Sequence, residues 1–167
     1  CKDCSALTCK GAGLTGRVWP YTSNNSDCLC ETMAGYFLPI GTRWMDNDVY
    51  GHVNNVTYYS YFDTVANHYL ITEGGLDIHT APVIGLVVES HCVYHAPLAY
   101  PDRLRAGLRV DRLSTRSVTY GIGIFTEDDD RAAAQGHFVH VFVDRVSRKA
   151  APIPDPIRVA LQRISPE

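Results

Sequence analysis

Residues 55–73 read NVTYYSYFDTVANHYLITE, and this stretch decides how the rest of the chain can fold. Its apolar positions are Val56, Tyr59, Phe62, Val65, Ala66, Tyr69 and Leu70. Because they recur at steps of three and four residues, they predict one buried face of a helix. Asn54 or Asn55 can cap its start, and Gly74-Gly75 can end it. At 1.5 Å per residue the predicted helix is about 28 Å long.

Extended segments surround this helix. One precedes it at 36–45, and four follow at 83–95, 103–113, 116–126 and 132–146. Their side chains alternate with a period of two, which is typical of strands. A short closing helix is predicted at 157–164. One long helix with strands in this order predicts an α+β fold, in which the helix packs on one antiparallel sheet.

Apolar residues lie on both faces of the last predicted strand. Phe138 and Phe142 share one face, while Val139, Val141 and Val143 share the other. One helix can cover only one face of a sheet. We therefore expect a second subunit to cover an edge or face of the sheet, which predicts a homodimer.

Composition limits the class of protein. The 167 residues suffice for one domain, and 46% hydrophobic with 20% charged residues is typical of a globular chain. The net charge of −3 disfavours nucleic acid as a partner. No apolar run approaches the roughly 18 residues of a membrane helix, and no secretion signal is visible. We expect a cytoplasmic protein without a membrane partner.

The cysteines divide the chain into a leader, 1–35, and a domain, 36–167. Five of the six cysteines fall in the leader, which is otherwise rich in Gly, Ser, Thr and Asn: Cys1, Cys4, Cys9, Cys28 and Cys30. Three interpretations stay open: an irregular leader without a site, a disulfide cluster, or a metal site. The spacing matches no paired CxxC pattern, and no histidine precedes His52, so the irregular leader is favoured.

The loop before the helix, residues 43–55, is the densest polar cluster in the chain. It reads RWMDNDVYGHVNN. A helix N-terminus offers unpaired N–H groups and a partial positive charge, which can stabilise an oxyanion. A nearby carboxylate, such as Asp46 or Asp48, can act as a base or nucleophile. The loop therefore predicts either a catalytic site or a capping loop without catalysis.

The segment RWMDNDVYGHVNNVTYYSYFDT, which starts at Arg43, resembles the signature of hotdog-fold acyl-CoA thioesterases of the 4-hydroxybenzoyl-CoA thioesterase-like group. Every fixed position of R-x-x-D-x-D-x-x-G-H-V-N-N-x-x-Y is met, and Asp63 replaces the usual glutamate. Tyr94 and Pro97 match the later Y-x-x-P, and the resemblance covers about 36–165. It implies the hotdog fold, hydrolysis of an acyl-CoA without cofactor, and a dimer or dimer-of-dimers tetramer with sites at the dimer interface.

The resemblance also implies roles for single residues. Asp48 takes the place of the catalytic carboxylate, and the backbone N–H of Asn55 contacts the thioester oxygen. His52 and Asn54 orient water or complete the oxyanion contacts. Further substrate-binding candidates are Tyr50, Gly51 and Tyr58. Asp46 is expected to make structural hydrogen bonds with Arg43.

The substrate class follows from two positions at which this chain differs from related enzymes. The related plant acyl-carrier-protein thioesterases carry an asparagine where Tyr50 stands, and an acidic or cysteine residue near Pro97. This chain has neither, which favours acyl-CoA as the substrate. The alternative is a non-catalytic acyl-CoA-binding protein or a hotdog protein that acts on acyl-carrier-protein thioesters, because fold alone does not decide function.

Coenzyme A phosphates require basic residues. Arg148 is the substrate-binding candidate, among a wider set of Arg103, Arg105, Arg109, Arg112, Arg116, Arg145 and Lys149. The remaining histidines are interpreted as structural and no metal site is expected, because His91 and His95 lie about 13 Å apart on a strand. Cys92 is interpreted as a core residue.

Overall fold

The computed structural model describes residues 35–165, so the predicted leader and its cysteines lie outside the described residues apart from Gly35. The elements are β1 (Tyr36–Gly41), a 3-10 turn (Trp44–Asp46), α1 (Asn55–Thr72), β2 (Val83–Tyr94), β3 (Arg103–Leu113), β4 (Ser117–Thr126), β5 (Ala134–Asp144) and α2 (Asp155–Arg163). The strands form one antiparallel sheet in the order β1-β3-β4-β5-β2. This α+β arrangement confirms the expected hotdog architecture.

Helix α1 packs along one face of the sheet, as its spacing predicts. Phe62, Val65 and Ala66 on the helix are fully buried. They meet the inward side chains of β3, which alternate along the strand as Leu104, Ala106, Leu108 and Val110 and are all buried. The alternation arises because successive side chains of a strand point to opposite faces. The core therefore lies between α1 and the sheet.

Helix α1 ends at a close approach of the chain to itself. A Cβ added at Gly74 would lie 2.7 Å from the Leu70 carbonyl oxygen, and Gly75 adopts φ +66°. Both positions suit glycine, which is common just past helix ends. Helix α2 then covers this end of α1, and the Tyr69 hydroxyl donates to the Ala160 carbonyl at 2.6 Å. The short closing helix is thus confirmed.

The first strand is shorter than predicted. β1 ends at Gly41 instead of residue 45, because it pairs with β3, and β3 begins at Arg103 opposite Gly41. Beyond that point no partner strand continues the ladder, and the chain turns through the 3-10 helix. Trp44 and Met45 are consequently 78% and 89% exposed rather than set in a strand.

Strand β2 forms one edge of the sheet. Its register with β5 shifts between Val87 and Glu89, which marks a bulge. Several apolar side chains of this strand are exposed: Leu86, Val87, Val88, Val93 and Tyr94.

No helix within residues 35–165 is long and apolar enough to cross a membrane.

Candidate active site

Asp46 anchors the loop that leads into α1. Its carboxylate is 2% exposed and accepts the Arg43 main-chain N–H at 2.8 Å and the Tyr61 hydroxyl at 2.8 Å. The Arg43 guanidinium lies 2.9 Å from the same carboxylate. The expected structural pairing of Asp46 with Arg43 is therefore confirmed, and Tyr61 of α1 adds a second partner. These contacts fasten the start of the loop to the helix.

The same contacts decide the charge of Asp46. Burial alone would raise the pKa of this carboxyl, but the hydrogen bonds from the Arg43 main chain, Tyr61 and the Arg43 side chain outweigh it. The pKa of Asp46 therefore lies below its usual value. An ionised carboxylate with all its partners in place is suited to hold the loop rather than to move protons.

Asp48 sits at the start of a tight turn. Its main-chain N–H donates to the His52 carbonyl at 2.8 Å, and its carbonyl accepts the Gly51 N–H at 3.1 Å. One carboxylate oxygen accepts the Tyr50 N–H at 2.8 Å. Gly51 adopts φ +83°, a conformation that side-chain-bearing residues rarely take. The glycine allows the turn that brings His52 and Asp48 together.

The N-terminus of α1 follows this turn directly. Asn54 caps the helix: its side-chain oxygen accepts the Val56 N–H at 3.2 Å, and its carbonyl accepts the Thr57 N–H at 2.9 Å. The Asn54 N–H itself donates to the Asp46 carbonyl at 2.8 Å. No acceptor within residues 35–165 pairs with the N–H of Asn55. This leaves one helix N-terminal donor available beside Asp48.

A cleft of about 380 Å³ joins these groups to the end of β2. Its lining residues are Asp48, His52, Val53, Asn55, Tyr58, Tyr94, His95, Ala96 and Pro97. Tyr58 is buried at the base, and burial raises its pKa to about 12, so its hydroxyl stays protonated at neutral pH. The Tyr58 and Tyr94 rings meet edge to face at 5.0 Å. The residues that line this concave surface thus include a carboxylic acid, the first residue of α1, two histidines and two tyrosines.

The site residues predicted in the loop before α1 and in its first turn divide into three groups. Asp48, His52, Asn55 and Tyr58 line the cleft together. Tyr50 is exposed and Gly51 forms the turn, so these two shape the loop around Asp48 rather than line the cleft. The side chain of Asn54 is engaged as the helix cap.

Arg148 lies far from the cleft in its own chain. It occupies the turn after β5, beside the start of β2, where Val83 pairs with Asp144. The cleft lies at the other end of β2, near Tyr94. Eleven strand steps at about 3.3 Å separate the two ends by about 36 Å. Arg148 and Asp48 of one chain are not brought together.

Two further candidates for phosphate contacts are engaged elsewhere. Arg105 is buried over the rings of Phe37 and Phe125, at 5.3 and 5.0 Å from their centroids, and pairs with Asp130 at 2.5 Å. Arg145 donates to the carbonyls of Ala81 and Ile78. These two side chains have structural roles, which corrects their inclusion in the basic set.

Two of the residues that line the cleft were not predicted from the sequence to belong to the site. His95, which the sequence interpretation treats as structural, lines the cleft together with His52. Tyr94 also lines it, and its hydroxyl reaches the Asn55 carbonyl at 3.2 Å. The Y-x-x-P match at Tyr94 and Pro97 was the available signal, but it carried no role for either residue.

The described residues around the cleft favour neither metal binding nor thiol chemistry. Within the described residues no group of three or more His, Cys, Asp and Glu side chains is arranged to hold a metal ion. Cys92 is half-buried against the core, and burial raises the pKa of its thiol. A raised pKa suits a packing role rather than a nucleophile.

Known proteins provide an independent comparison. A family model for the thioesterase-like superfamily matches residues 42–161. The structure of the PA5185 protein from Pseudomonas aeruginosa is 55% identical, with a TM-score of 0.77, over 78% of this chain and 91% of that chain. The PA2801 protein from the same organism is 31% identical, with a TM-score of 0.71, over 75% of this chain and 96% of that chain.

A third similar structure, the BH1999 gentisyl-coenzyme A thioesterase, is 25% identical, with a TM-score of 0.67, over 75% of this chain and 99% of that chain. No curated protein matches the chain. The family model spans well over half of the sequence and includes both the loop before α1 and the end of β2. The chain therefore belongs to the thioesterase-like superfamily.

Proposed function

We propose that the protein hydrolyses an acyl-CoA thioester to a free carboxylic acid and coenzyme A. One observation carries the proposal: Asp48, which bears a carboxylate, and Asn55, whose N–H has no acceptor among residues 35–165, line the same cleft. Thioester hydrolysis needs a group that delivers the nucleophile and a donor that stabilises the oxygen of the tetrahedral intermediate. The cleft supplies both from one short loop and the helix that follows it.

In the proposed reaction the thioester oxygen accepts the Asn55 N–H. Asp48 either removes a proton from the attacking water or itself attacks the carbonyl carbon. The carbon–sulfur bond then breaks, and the coenzyme A thiolate leaves and takes up a proton. In the second case the resulting acyl–aspartyl anhydride is afterwards hydrolysed by water, which releases the free acid and restores the carboxylate. His52 and His95 lie at the cleft wall, where they can orient the water. Asn54 contributes by capping the helix that carries the donor.

The choice of coenzyme A has separate support. The gentisyl-coenzyme A thioesterase is a thioester hydrolase by name, and it matches 75% of this chain. The chain also carries Tyr50 where the carrier-protein enzymes have an asparagine, and it lacks their acidic or cysteine residue near Pro97. A panel of short, medium, long and aromatic acyl-CoAs, assayed for released thiol, tests the proposal. Matched acyl-carrier-protein thioesters serve as the control substrates.

The expected result is release of free thiol from at least one acyl-CoA with kcat/KM of about 10⁴ M⁻¹s⁻¹ or more, the lower end for enzymes. Faster hydrolysis of the carrier-protein thioesters would show that the substrate class is wrong. Tight binding of acyl-CoA without release of thiol would favour the non-catalytic alternative.

A homodimer completes the proposal. The outer edge of β2 is exposed and rich in apolar side chains, and an unpaired edge of this kind is a template for another strand. Two β2 strands paired antiparallel around a two-fold axis would set the start of one beside the end of the other. Arg148 of the partner subunit would then approach this chain's cleft, although this chain's own Arg148 does not.

This arrangement makes Arg148 a candidate for the coenzyme A phosphates across the interface. Arg148→Ala should raise KM for an acyl-CoA about tenfold, because a phosphate contact is lost, and leave KM for the matched acyl-pantetheine unchanged. Equal effects on both substrates would remove the phosphate role. Loss of the dimer in this variant would assign Arg148 to the interface instead.

A further inference from the structure

Two segments that are distant in sequence are fastened together at the cleft. The first, 46–55, comprises the end of the loop before α1 and the first residue of the helix, and the second, 94–100, begins with the last residue of β2. The Val53 N–H donates to the Leu98 carbonyl at 2.7 Å, and the Tyr100 N–H donates to the Asn47 side chain at 3.0 Å. The Tyr94 hydroxyl donates to the Asn55 carbonyl at 3.2 Å. Only this last bond reaches α1 itself, and it involves the side chain that forms part of the cleft wall.

The acceptor of the Tyr94 bond belongs to the residue that carries the unpaired N–H. The carbonyl of Asn55 belongs to the peptide that follows its Cα, and the N–H belongs to the peptide that precedes it. The two planes are joined through φ and ψ of Asn55, so a bond that holds the carbonyl narrows these angles and with them the direction of the N–H. Asn54 holds the next two N–H groups, those of Val56 and Thr57. Tyr94 and Asn54 thus both hold the first turn of α1, and the Asn55 N–H has no acceptor among residues 35–165.

The surroundings of Tyr94 favour a fixed hydroxyl. Its ring packs edge to face on the buried Tyr58 at 5.0 Å. Although 44% of Tyr94 is exposed, the partial loss of hydration around its side chain, with the neighbouring thiol of Cys92, raises the pKa of Tyr94 to about 12. The hydroxyl therefore stays protonated, and stays a donor, throughout the neutral pH range.

We propose that Tyr94 is a positioning residue, whose hydroxyl holds the Asn55 carbonyl and thereby the backbone angles of Asn55, so that the Asn55 N–H is aimed into the cleft. This inference rests on the proposed function and adds to it a residue from outside the loop before α1. Tyr94 acts through Asn55 rather than on the reacting atoms. Its contribution should therefore appear in the transition state, where negative charge develops on the thioester oxygen, more than in substrate binding.

The variant Tyr94→Phe isolates the hydroxyl, because it keeps the ring and its contact with Tyr58. We expect kcat to fall about tenfold with KM changed by less than twofold. The loss is smaller than the 10²–10³-fold expected for deleting a donor outright, because the N–H remains and is only less well aimed.

Tyr36→Phe is the matched control. The Tyr36 hydroxyl also joins α1 to the sheet, through His68 Nδ1 at 2.9 Å, but about 20 Å further along the helix. We expect a similar decrease of the melting temperature in both variants and unchanged kcat in Tyr36→Phe. An equal fall of kcat in both would reduce Tyr94 to a general stabilising role and overturn the proposal.

Amide hydrogen exchange supplies a readout that needs no activity. In α1 the Tyr59 N–H shares the Asn55 carbonyl with the Tyr94 hydroxyl by the i to i+4 pattern. Tyr94→Phe should speed exchange in this first turn about fivefold, the size of one lost hydrogen bond. Tyr36→Phe should leave the exchange of this turn unchanged.

The outcomes separate the two proposals. A wild-type protein that cleaves no thioester refutes the proposed function, and hydrogen exchange alone then decides whether Tyr94 holds Asn55. Unchanged exchange in Tyr94→Phe overturns the positioning role. Faster exchange with unchanged kcat, or a rise in KM with kcat unchanged, overturns it as well, since Tyr94 would then not act through the donor.

Discussion

The N–H of Asn55 can be deleted without disturbing the fold, and this gives a sharp test of the oxyanion donor. Asn55 is the first residue of α1, and Asn54 before it adopts φ −60° and ψ 140°. That extended conformation is the one preferred by a residue that precedes proline. Proline is also favoured at the first helical position, where its fixed φ suits the helix. Asn55→Pro therefore removes the donor at a position already shaped for proline.

The expected magnitudes follow from these contacts. No protein acceptor within residues 35–165 loses a partner, so we expect the free energy of unfolding to change by less than about 1 kcal/mol. Turnover should fall by about 10²–10³-fold, the loss measured when one oxyanion donor is removed. Asn55→Ala keeps the N–H, so its loss of turnover should be clearly smaller.

The assay is kcat and KM on the best acyl-CoA, with circular dichroism and thermal melting of both variants. Comparable melting with a large gap in kcat between the proline and alanine variants is the expected result. Equal losses would assign the role to the Asn55 side chain. A proline variant that keeps turnover within about threefold of the wild type would refute the donor.

Three other predictions concern stability and assembly. Tyr61→Phe should lower the free energy of unfolding by roughly 1.5–3 kcal/mol in a denaturation assay, because it removes a donor from the buried Asp46 carboxylate. Tyr69→Phe loses a bond to a neutral carbonyl and should lower it by roughly 0.5–1.5 kcal/mol in the same assay. Burial lowers the pKa of His140 to about 4 from 6.5. Between pH 6.5 and 4 the unfolded chain therefore binds a proton at His140 that the folded chain does not, and the free energy of unfolding should fall by roughly 3 kcal/mol over this range. An equally steep loss of stability in His140→Leu would show that His140 is not the cause. Light scattering of the wild type at micromolar concentration should give the mass of a dimer or a larger assembly, and Val88→Lys on the exposed β2 edge should give a folded monomer. A monomeric wild type would refute the proposed interface along β2.

Periodicity was sufficient to predict most of the fold. Strand β3 occupies the predicted residues, and α1 ends one residue before the predicted limit, because a long helix face and an alternating strand each leave a clear pattern. The end of β1 could not be predicted in the same way. Its last paired residue is set by where β3 begins, some 60 positions later in the chain. The residues of β1 alone do not indicate where the partner strand begins.

The site was predictable where it is continuous in sequence. Asp48, His52 and Asn55 fall within eight positions, and the chemistry of a helix start was enough to group them. Tyr94 and His95 come from the far end of β2, and only the packing of that strand against α1 brings them to the cleft. Arg148 was predicted from its charge, but it lies far from the cleft of its own chain, so any role at the cleft depends on a second subunit.

Turnover of Asp48→Asn on the best acyl-CoA tests the central claim most directly. Asp128→Asn, on the exposed hairpin between β4 and β5, is the matched control, since it makes the same chemical change outside the cleft. With melting temperatures equal to the wild type, we expect Asp48→Asn to lose at least about 10²-fold in kcat and Asp128→Asn to lose none. Near-wild-type release of thiol by a folded Asp48→Asn protein would contradict the account.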